Sequence, residues 1–504
     1  MLGKALSASL CGISASVISV EADVAAGIPY FDIIGNLSCN AREGRDRVRN
    51  ALRNAGYKLP PAKIVVNMAP AEVRKDGTHF DLAIAMAVLR AYGAVEDVSV
   101  RTLYIGELSL SGEVYAAAGV LPMIIGAMEE GIARCYVPMQ NLNEAMSVPG
   151  MEIIGVSSLK ECVEYESRIR EYKPPTISPR DETQEEVLDF ADIKGQYALK
   201  RSILVSASAM HNMLIFGPPG TGKSMAAMRV PGILPPLSFK ESLEISKLYS
   251  ISGLLDNENC LITSRPFRSP HYTITRAAFC GGGRRALPGE ISLAQSGVLF
   301  LDEINLFSPE VVDALREPLE TGKIRISRQS ASCTYMADGL LVAAMNPCRC
   351  GFYPDRNRCS CSESEVRQFI GKVSKPVMDR IDIFVNARRV SYDEICADDA
   401  KDYTTKAMKE QVQRVREIQK ERFKGEDFLL NSAIPSDRIN RYCRAEREGE
   451  NLLRQAYERY NLSIRSYNKI RKVARTIADI EGHDTIMCPD ICEAIGYKAV
   501  TDNG

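Results

Sequence analysis

The segment from Met213 to Ser224 joins a short apolar run to a glycine-rich loop. The run Met213–Phe216 predicts a buried strand, and the eight residues after it fit the pattern G-x-x-x-x-G-K-[ST]. Glycines allow backbone N–H groups to surround phosphate oxygens, and the helix that follows adds a partial positive charge. Lys223 can reach the β- and γ-phosphates, and the Ser224 hydroxyl can bind Mg²⁺. The sequence therefore predicts a MgATP site, whose loop residues are Gly217, Pro218, Pro219, Gly220, Thr221, Gly222, Lys223 and Ser224.

Two later apolar segments end in polar residues that suit the same site. Asp302 and Glu303 follow Gly297–Leu301, and Asn346 follows Leu340–Met345. The carboxyl ends of parallel strands meet at one edge of a sheet. There Asp302 can hold the Mg²⁺ shell, Glu303 can polarise the attacking water, and Asn346 can hydrogen-bond the γ-phosphate or that water. Three such strand ends in chain order predict an ATPase.

The composition is that of a globular protein with several domains. The chain has 504 residues, 45% of them hydrophobic and 25% charged, and a net charge of −1. Because no global basic field exists, any contact with nucleic acid must come from local patches, or from a patch repeated around an oligomer. The 15 scattered cysteines, without a convincing secretory signal, indicate a reducing cytoplasmic location. No apolar run is long enough to span a membrane.

The chain divides into four parts by composition and pattern. Residues 1–165 alternate predicted strands and helices, 166–188 form a charged linker with prolines, 189–392 hold the ATPase core, and 393–504 form a helical lid. Within the first part the patterns predict elements at defined positions. They are the strands Ser14–Glu21, Ile64–Met68 and Leu103–Leu110 and the helices Arg42–Ala55 and Leu82–Leu89.

Two segments of the first part, VRNALRNAGYKLPPAKIVVNMAPAEVRKDGTHFDLAIAMAVL and GELSLSGEVYAAAGVLPMIIGAMEEGI, resemble the domain shared by Lon proteases and a RadA-type recombination protein. The resemblance implies a ribosomal-protein-S5-like α/β fold. The catalytic serine of Lon would fall near His79 and its lysine near Leu121, so neither nucleophile nor base is present. We therefore expect a non-proteolytic scaffold. Arg74 and Lys75 in its APAEVRKDG loop are compatible with a polyanion contact or with a solvated turn.

Four further motifs lie between residues 265 and 385. They are RPFRSPHYTITRAAFCGGGRRALPGEISLAQSGVLFLDE, VVDALREPLETGKIRISR, VAAMNPCRCGFY and SKPVMDRIDIFV. Together they closely resemble the magnesium-chelatase-like AAA+ ATPases, specifically the YifB/ComM family. The resemblance implies an α/β AAA+ core with a parallel sheet, preceded by the Lon-like domain and followed by a C-terminal α-helical lid. It also implies ATP and Mg²⁺ as cofactors and a homo-oligomer, a hexameric ring.

The family resemblance also assigns roles to individual residues. Arg380 in MDRID is similar to the arginine finger, which reaches the neighbouring subunit's ATP. Arg465 resembles the sensor-2 arginine of the lid, with Arg471 and Arg475 as alternatives on the same helix. Glu320–Arg328 resembles a pre-sensor hairpin. At His271-Tyr272 the family usually has two histidines, which puts in question any role needing both.

The segment before the phosphate loop is open to two interpretations. In ATPases of this type, a segment such as Phe190–Gln196 lines the adenine pocket. Alternatively, it is an ordinary helix N-terminus capped by Asp192.

A cysteine-rich segment follows Asn346 directly. Its pattern is C-x-C-x₈-C-x-C, formed by Cys348, Cys350, Cys359 and Cys361. Four thiolates so close together could close a tetrahedral Zn²⁺ site. The alternative is that reduced cysteines pack in a loop, since a disulfide is disfavoured in the cytoplasm.

Basic residues cluster where the pore of a ring would lie. These are Arg265, Arg268, Arg276, Arg284 and Arg285 in the insert and Lys323, Arg325 and Arg328 in the hairpin. They could be ordinary solvated charges, but repetition around a pore would turn a modest patch into a strong phosphate-binding surface.

Two functions remain, because the absence of a Ser–Lys dyad argues against a protease. The first is a ring-forming ATPase motor on single-stranded or branched DNA, with a helicase-like or branch-migration role in recombination or natural transformation. The alternative is a metal-insertion chaperone like the magnesium-chelatase ATPase subunit. The resemblance implies that the chelatase subunit lacks a counterpart of residues 1–165, which favours DNA.

Overall fold

The structure is a computed structural model that describes residues 2–57, 60–96, 100–175, 188–255, 261–283, 285–328, 331–353, 355–396 and 403–499. Most of the predicted linker and Arg284 therefore lie outside the described residues. The domain boundaries at residues 165, 188 and 392 remain predictions.

The N-terminal part is built on a seven-stranded sheet of mixed direction. The long hairpin of β1 (Leu2–Cys11) and β2 (Ser14–Ala25) lies at its centre, and the strand order is β3-β4-β2-β1-β5-β8-β9. Helix α2 (Asp81–Ala91) packs on the central hairpin of the sheet and is buried along nearly its whole length. The remaining strands are β3 (Tyr30–Ile34), β4 (Lys63–Ala69), β5 (Thr102–Tyr104), β6 (Glu107–Leu108), β7 (Val114–Tyr115), β8 (Arg134–Pro138) and β9 (Glu152–Val156). The helices are α1 (Cys39–Asn54), α2 (Asp81–Ala91), α3 (Val120–Glu129), α4 (Leu142–Met146) and α5 (Leu159–Glu166).

The single strand predicted at Leu103–Leu110 is wrong, because the chain forms two short strands there. It leaves the large sheet after β5 at Gly106. The Gly106 N–H donates to the His79 carbonyl at 2.9 Å, and its carbonyl accepts from the Leu82 N–H at 3.1 Å. These bonds tie the segment to the start of α2 rather than to a strand, a tertiary contact that periodicity does not report.

The second sheet confirms the predicted parallel architecture of the ATPase core. Its five strands have the order β11-β14-β17-β10-β18, and all pairs are parallel. The three strands predicted from the sequence are neighbours, and every residue of each is buried. The strands are β10 (Met213–Phe216), β11 (Phe267–Arg268), β14 (Val298–Leu301), β17 (Leu340–Met345) and β18 (Ile383–Asn386).

Helices and two small ribbons surround this sheet. The helices are α6 (Tyr197–Ala209), α7 (Lys223–Ile233), α8 (Phe239–Ile251), α9 (Arg276–Cys280), α10 (Glu290–Leu293), α11 (Pro309–Asp313), α12 (Arg316–Thr321), α13 (Glu363–Ile370), α14 (Lys375–Met378) and α15 (Tyr392–Cys396). One ribbon pairs β12 (Gly281–Gly282) with β13 (Leu287–Pro288), and the other pairs β15 (Lys323–Arg328) with β16 (Ala331–Met336).

The hairpin expected at Glu320–Arg328 begins later than predicted. Glu320 belongs to α12, and Gly322, with φ +64°, ends that helix before β15 starts. Along β15 the side chains alternate, with Ile324 and Ile326 buried and Lys323 and Arg325 exposed.

Five helices form the C-terminal part. They are α16 (Thr405–Arg422), α17 (Ile439–Tyr442), α18 (Arg447–Arg459), α19 (Ile464–Glu481) and α20 (Cys488–Ala499). Apolar residues of α16 and α19 share one buried cluster with α6 and β10, so these helices pack on the ATPase core. In the described part of the chain, no helix combines the length and apolarity needed to cross a membrane.

Candidate active site

The phosphate loop begins between two neighbouring strands. The Gly217 N–H donates to the Met345 carbonyl of β17 at 3.2 Å, and a Cβ at Gly217 would lie 2.4 Å from the Ala387 carbonyl oxygen beyond β18. Only a glycine allows this approach. The loop therefore leaves the sheet at a fixed position above its carboxyl edge.

Two further glycines shape the loop itself. Gly220 and Gly222 have φ of +77° and +83°, in the left-handed region that other residues rarely adopt. No described atom lies within 4 Å of a Cβ placed on either. Both glycines therefore face open space, which leaves room for a ligand beside the loop.

Lys223 is only 7% exposed, and neutral oxygens surround its ammonium group. Nζ donates to the carbonyls of Gly217 and Pro218 at 2.7 and 2.9 Å and to Asn346 Oδ1 at 3.0 Å. Burial lowers the pKa of Lys223, and the charges of Asp302 and Glu303 act in the opposite direction. The ammonium group of Lys223 is therefore hydrogen-bonded to oxygens that phosphate oxygens can replace.

Polar side chains from the start of α7 and from two strand ends meet beside this lysine. Ser224 Oγ donates to Asp302 Oδ2 at 2.6 Å, and Asn346 Nδ2 donates to Glu303 Oε1 at 3.1 Å. A hydroxyl and a carboxylate in contact are oxygen ligands that suit Mg²⁺. Glu303 has φ +51°, an uncommon backbone conformation for a residue with a side chain, directly after β14. The structure thus brings together the phosphate-loop residues, Asp302, Glu303 and Asn346, as their spacing predicted.

Gln196 contacts this group in a way the sequence did not reveal. Its Nε2 donates to the Thr221 carbonyl at 2.9 Å and to the Arg388 carbonyl at 2.6 Å. The interpretation of Asp192 as a helix cap is wrong, since α6 begins at Tyr197 and the Asp192 carboxylate instead accepts from Arg229 at 2.8 Å. Gln196 was the last residue of the segment assigned to the adenine pocket, and it braces the phosphate loop itself.

The two arginines with assigned roles form a separate group. Arg380 and Arg465 both bind the carboxylate of Glu320 on α12, Arg465 at 2.5 Å. Among the described residues, no hydrogen bond or ion pair joins this group to Lys223, Asp302 or Glu303. Glu320 was missed as a functional candidate because the sequence placed it in the hairpin.

The alternatives to Arg465 on α19 are engaged elsewhere. Arg471 donates to Asn440 Oδ1 at 2.6 Å and to the Cys443 carbonyl at 2.7 Å. Arg475 is buried and binds Asp479, at 2.9 Å. Both are tied into the helical packing, whereas the Arg465 side chain is 44% exposed.

The N-terminal counterpart of a protease site has different chemistry. His79 is 6% exposed, its Nε2 lies 2.9 Å from the Ala8 carbonyl, and burial lowers its pKa to about 4. Leu121 is buried in α3. Lys75 is fully buried and its Nζ donates to the Pro70 carbonyl, so both expectations for its side chain, a polyanion contact and a solvated turn, are wrong.

The basic residues of the insert are partly engaged within the chain. Arg268 pairs with Glu290 through two bonds of 2.7 and 2.6 Å, and Arg265 donates to the Pro235 and Ser296 carbonyls. These two arginines hold the insert together. Arg276, Lys323 and Arg325 are exposed.

The cysteine segment lies against the phosphate loop. All four thiol sulphurs are within 4.8 Å of one another. A Cβ on Gly351, inside this segment, would lie 2.6 Å from Pro219 Cδ. The two loops are therefore in direct contact.

Comparison with known proteins gives the same architecture. A family profile described as magnesium chelatase, subunit ChlI, matches residues 189–395, its C-terminal counterpart matches 402–498, and one described as subunit ChlI of Mg-chelatase matches 20–141. The last description carries the chelatase name into the N-terminal region. The name of that profile alone does not decide between the two functional hypotheses.

Full-length relatives are also found. Competence protein ComM of Haemophilus influenzae is 35% identical over 496 residues, covering 97% of this chain and 96% of that protein. Protein YifB of Escherichia coli is 35% identical over 495 residues, covering 97% and 95%. The magnesium-chelatase 38 kDa subunit of Rhodobacter capsulatus is 25% identical over 179 residues, which cover 32% of this chain and 51% of that subunit.

A parallel sheet, a glycine-rich phosphate loop and a C-terminal helical region together define an ATPase of the magnesium-chelatase-like AAA+ class. Within that class, the chain aligns over nearly its whole length with two relatives, and these alignments identify its family. The chain belongs to the ComM/YifB family. Membership of this class implies ATP as the nucleotide and Mg²⁺ as its metal.

Proposed function

We propose that this protein is a ring-forming ATPase motor that moves along DNA. The observation that carries the proposal is the exposed pair Lys323 and Arg325 on the β15–β16 hairpin of an AAA+ core. The name of the H. influenzae relative, a competence protein, favours DNA over other polyanions. In this proposal the protein acts on single-stranded or branched DNA in a helicase-like or branch-migration role.

Each residue of the candidate site has a role in hydrolysis. Lys223 exchanges its carbonyl and amide partners for β- and γ-phosphate oxygens, and Asn346 then holds Glu303 beside the attacking water. Glu303 polarises that water. Asp302 and Ser224 would hold Mg²⁺, which neutralises charge on the phosphates when bound.

Assembly follows from the position of the arginines. Arg380 and Arg465 are held by Glu320, and among the described residues no hydrogen bond or ion pair joins them to Lys223, Asp302 or Glu303 of their own chain. Hydrolysis assisted by Arg380 then needs a neighbouring subunit, as for an arginine finger supplied in trans. We infer a homo-oligomer, a hexameric ring, in which the ATP sites lie between subunits.

DNA contact follows from the alternation along β15. Ile324 and Ile326 anchor the strand in the core, which leaves Lys323 and Arg325 facing outward. Two phosphate contacts from one subunit give weak binding, but a ring tethers several copies to one strand. Arg265 and Arg268 are excluded from this surface by their internal bonds.

Binding to labelled forked DNA tests the proposal by fluorescence anisotropy, in a non-hydrolysable ATP analogue and at several salt concentrations. Lys323→Ala/Arg325→Ala should weaken binding and lower the slope of log affinity against log salt, by about one for each DNA phosphate that the variant no longer neutralises. Basal ATP hydrolysis should be unchanged, because neither residue belongs to the ATP site.

A charge-matched control separates a specific surface from general attraction. Lys406→Ala/Lys420→Ala removes two positive charges from α16 and should bind DNA like the parent protein. An assembled parent ring that binds no DNA even at low salt would refute the motor function.

That result would favour the alternative function, a metal-insertion chaperone. A metal-insertion chaperone is favoured by the chelatase profiles matching all three regions of the chain. Against it, the chelatase subunit from R. capsulatus aligns with only 32% of the chain.

A further inference from the structure

In the cysteine segment between β17 and α13, the thiol groups lie close together. Three sulphur–sulphur distances are 3.2 Å for Cys348–Cys350, 3.7 Å for Cys348–Cys359 and 3.5 Å for Cys350–Cys359. With Cys361 included, no two of the four thiols are more than 4.8 Å apart. Each of these three thiols thus has two near neighbours, an arrangement around a centre rather than two separate pairs.

These distances are close to those expected around a single tetrahedral metal ion. Zinc–sulphur bonds of about 2.3 Å in a regular tetrahedron place the sulphurs about 3.8 Å apart. A disulfide needs about 2.0 Å between two sulphurs. A cluster of several irons would spread its four thiolates around a larger inorganic core. The observed spacing therefore favours one ion bound by four thiolates.

The surroundings of the thiols suit bound thiolates. The Tyr353 N–H points at Cys348 Sγ, 3.4 Å away. A Zn²⁺ ion with four thiolates carries two negative charges, and the segment from Cys348 to Cys361 holds three arginines and one aspartate. Arg356 also donates to the Cys361 carbonyl at 2.8 Å. Backbone N–H groups and arginines are the partners that stabilise such an anionic centre.

The apolar cluster at this place is small, with partly buried Phe352, Tyr353 and Ile370 packed against its buried members. Its buried members among the described residues are Cys348, Cys359 and Val366. Small units with so little apolar burial are commonly held by a metal or by disulfides. A metal ion would supply the missing organisation, and the chemistry of four thiolates selects Zn²⁺ among common divalent ions.

The position of the segment links this site to ATP. Asn346, which contacts both Lys223 and Glu303, is two residues before Cys348. On the other side, Gly351 has φ +83° and packs directly on Pro219 of the phosphate loop. The ion would thus fix a short segment whose two ends touch the nucleotide site.

We propose that Cys348, Cys350, Cys359 and Cys361 bind one structural Zn²⁺ ion, which holds the segment Asn346–Gly351 against the phosphate loop. The ion takes no part in the reaction itself. Its effect on hydrolysis rests on the proposed ATPase function, whereas its presence does not.

Metal analysis of the full-length protein, purified without chelators and without a histidine tag, tests the site. The parent should contain about one Zn²⁺ per chain. Cys359→Ser/Cys361→Ser should lose the metal and melt at a lower temperature. The matched control Cys39→Ser/Cys492→Ser, at two exposed cysteines outside the segment, should keep both the metal and the parental melting temperature.

A folded parent that retains no zinc after incubation with excess Zn²⁺ and removal of unbound ions would overturn the site, as would zinc retained by Cys359→Ser/Cys361→Ser. If that variant does not fold, Co²⁺-loaded parent protein decides the question, since tetrahedral thiolate ligation gives intense visible absorption and its absence refutes the site. The link to ATP is tested separately: the zinc-free variant should lose kcat while its KM for ATP changes little. Parental kcat in that variant would overturn the positional role alone.

Discussion

Two buried lysines in this chain differ in whether their burial indicates a functional site. Lys223 is 7% exposed and Lys75 is 0% exposed, and each ammonium group donates to a backbone carbonyl in a proline-containing loop. Lys223 lies beneath open glycines and beside Asn346 and two carboxylates. Lys75 is locked by its own backbone, which pairs with Asn36 and Ser38 at 2.8 and 2.9 Å. A buried charge therefore indicates chemistry only when its partners can be exchanged for a ligand and other polar groups converge on it.

The same contrast holds for the two sites as wholes. At the ATP site, hydrogen bonds connect Lys223, Asn346 and Glu303 in one chain, and the space above is open. In the N-terminal part, His79 satisfies a carbonyl of β1, and the expected positions of a nucleophile and a base hold His79 and Leu121. We therefore expect the reaction groups in the α/β region of the phosphate loop and a scaffold role for the N-terminal α/β region.

The largest expected effect separates the two lysines. Lys223→Ala should abolish ATP binding in a titration with a fluorescent ATP analogue, since Lys223 is the loop cation placed to meet the β- and γ-phosphates. Lys75→Ala should bind ATP like the parent, although it should melt at a lower temperature.

Glu303→Gln tests a second residue of the ATP site. It should bind ATP but hydrolyse it about 10²-fold more slowly. If Glu303→Gln hydrolyses ATP at the parental rate, the assignment of Glu303 as the catalytic carboxylate is wrong.

A smaller effect than the loss of ATP binding in Lys223→Ala is expected at Arg380. Arg380→Ala should bind ATP normally and hydrolyse it about 10³-fold more slowly, because the arginine acts on a neighbour's γ-phosphate. Mixing Arg380→Ala with Lys223→Ala chains should restore part of the activity. The reason is that some interfaces then pair an intact arginine with an intact phosphate loop.

The control for this experiment is the mixture of Arg380→Ala with Arg380→Ala/Lys223→Ala, which contains no intact arginine and should stay inactive. Assembled mixed rings without any recovery would show that Arg380 does not act in trans.

The sequence was most informative where chemistry is local. The phosphate loop and the strand ends at Asp302, Glu303 and Asn346 were predictable, because short parallel strands bring their carboxyl ends to one edge. Three features were not predictable: the break at Gly106, the burial of Lys75 and the pairing of Arg380 and Arg465 through Glu320. Each depends on a contact between distant segments, which neither hydrophobic periodicity nor a motif encodes.

The smallest expected effect concerns His79 and tests whether the N-terminal site is only structural. Burial lowers the pKa of His79 to about 4 from its ordinary value of 6.5, so the folded protein holds the neutral ring. The unfolded chain takes up a proton below pH 6.5, which the folded protein does not do until about pH 4. Stability should therefore fall as the pH falls through this interval, by up to about 3 kcal/mol from this group.

His79→Gln should reduce that pH dependence, because its amide can donate to the Ala8 carbonyl but does not titrate. Urea unfolding at several pH values measures the difference between the variant and the parent. His271→Gln, at an exposed histidine of the insert, should leave the parental pH dependence unchanged. ATP hydrolysis at neutral pH should be the same in all three proteins, since His79 is far along the chain from the phosphate loop and bonds within its own sheet. A loss of hydrolysis in His79→Gln, without loss of stability, would show that the N-terminal site takes part in the reaction cycle and that the contrast between the two regions is wrong.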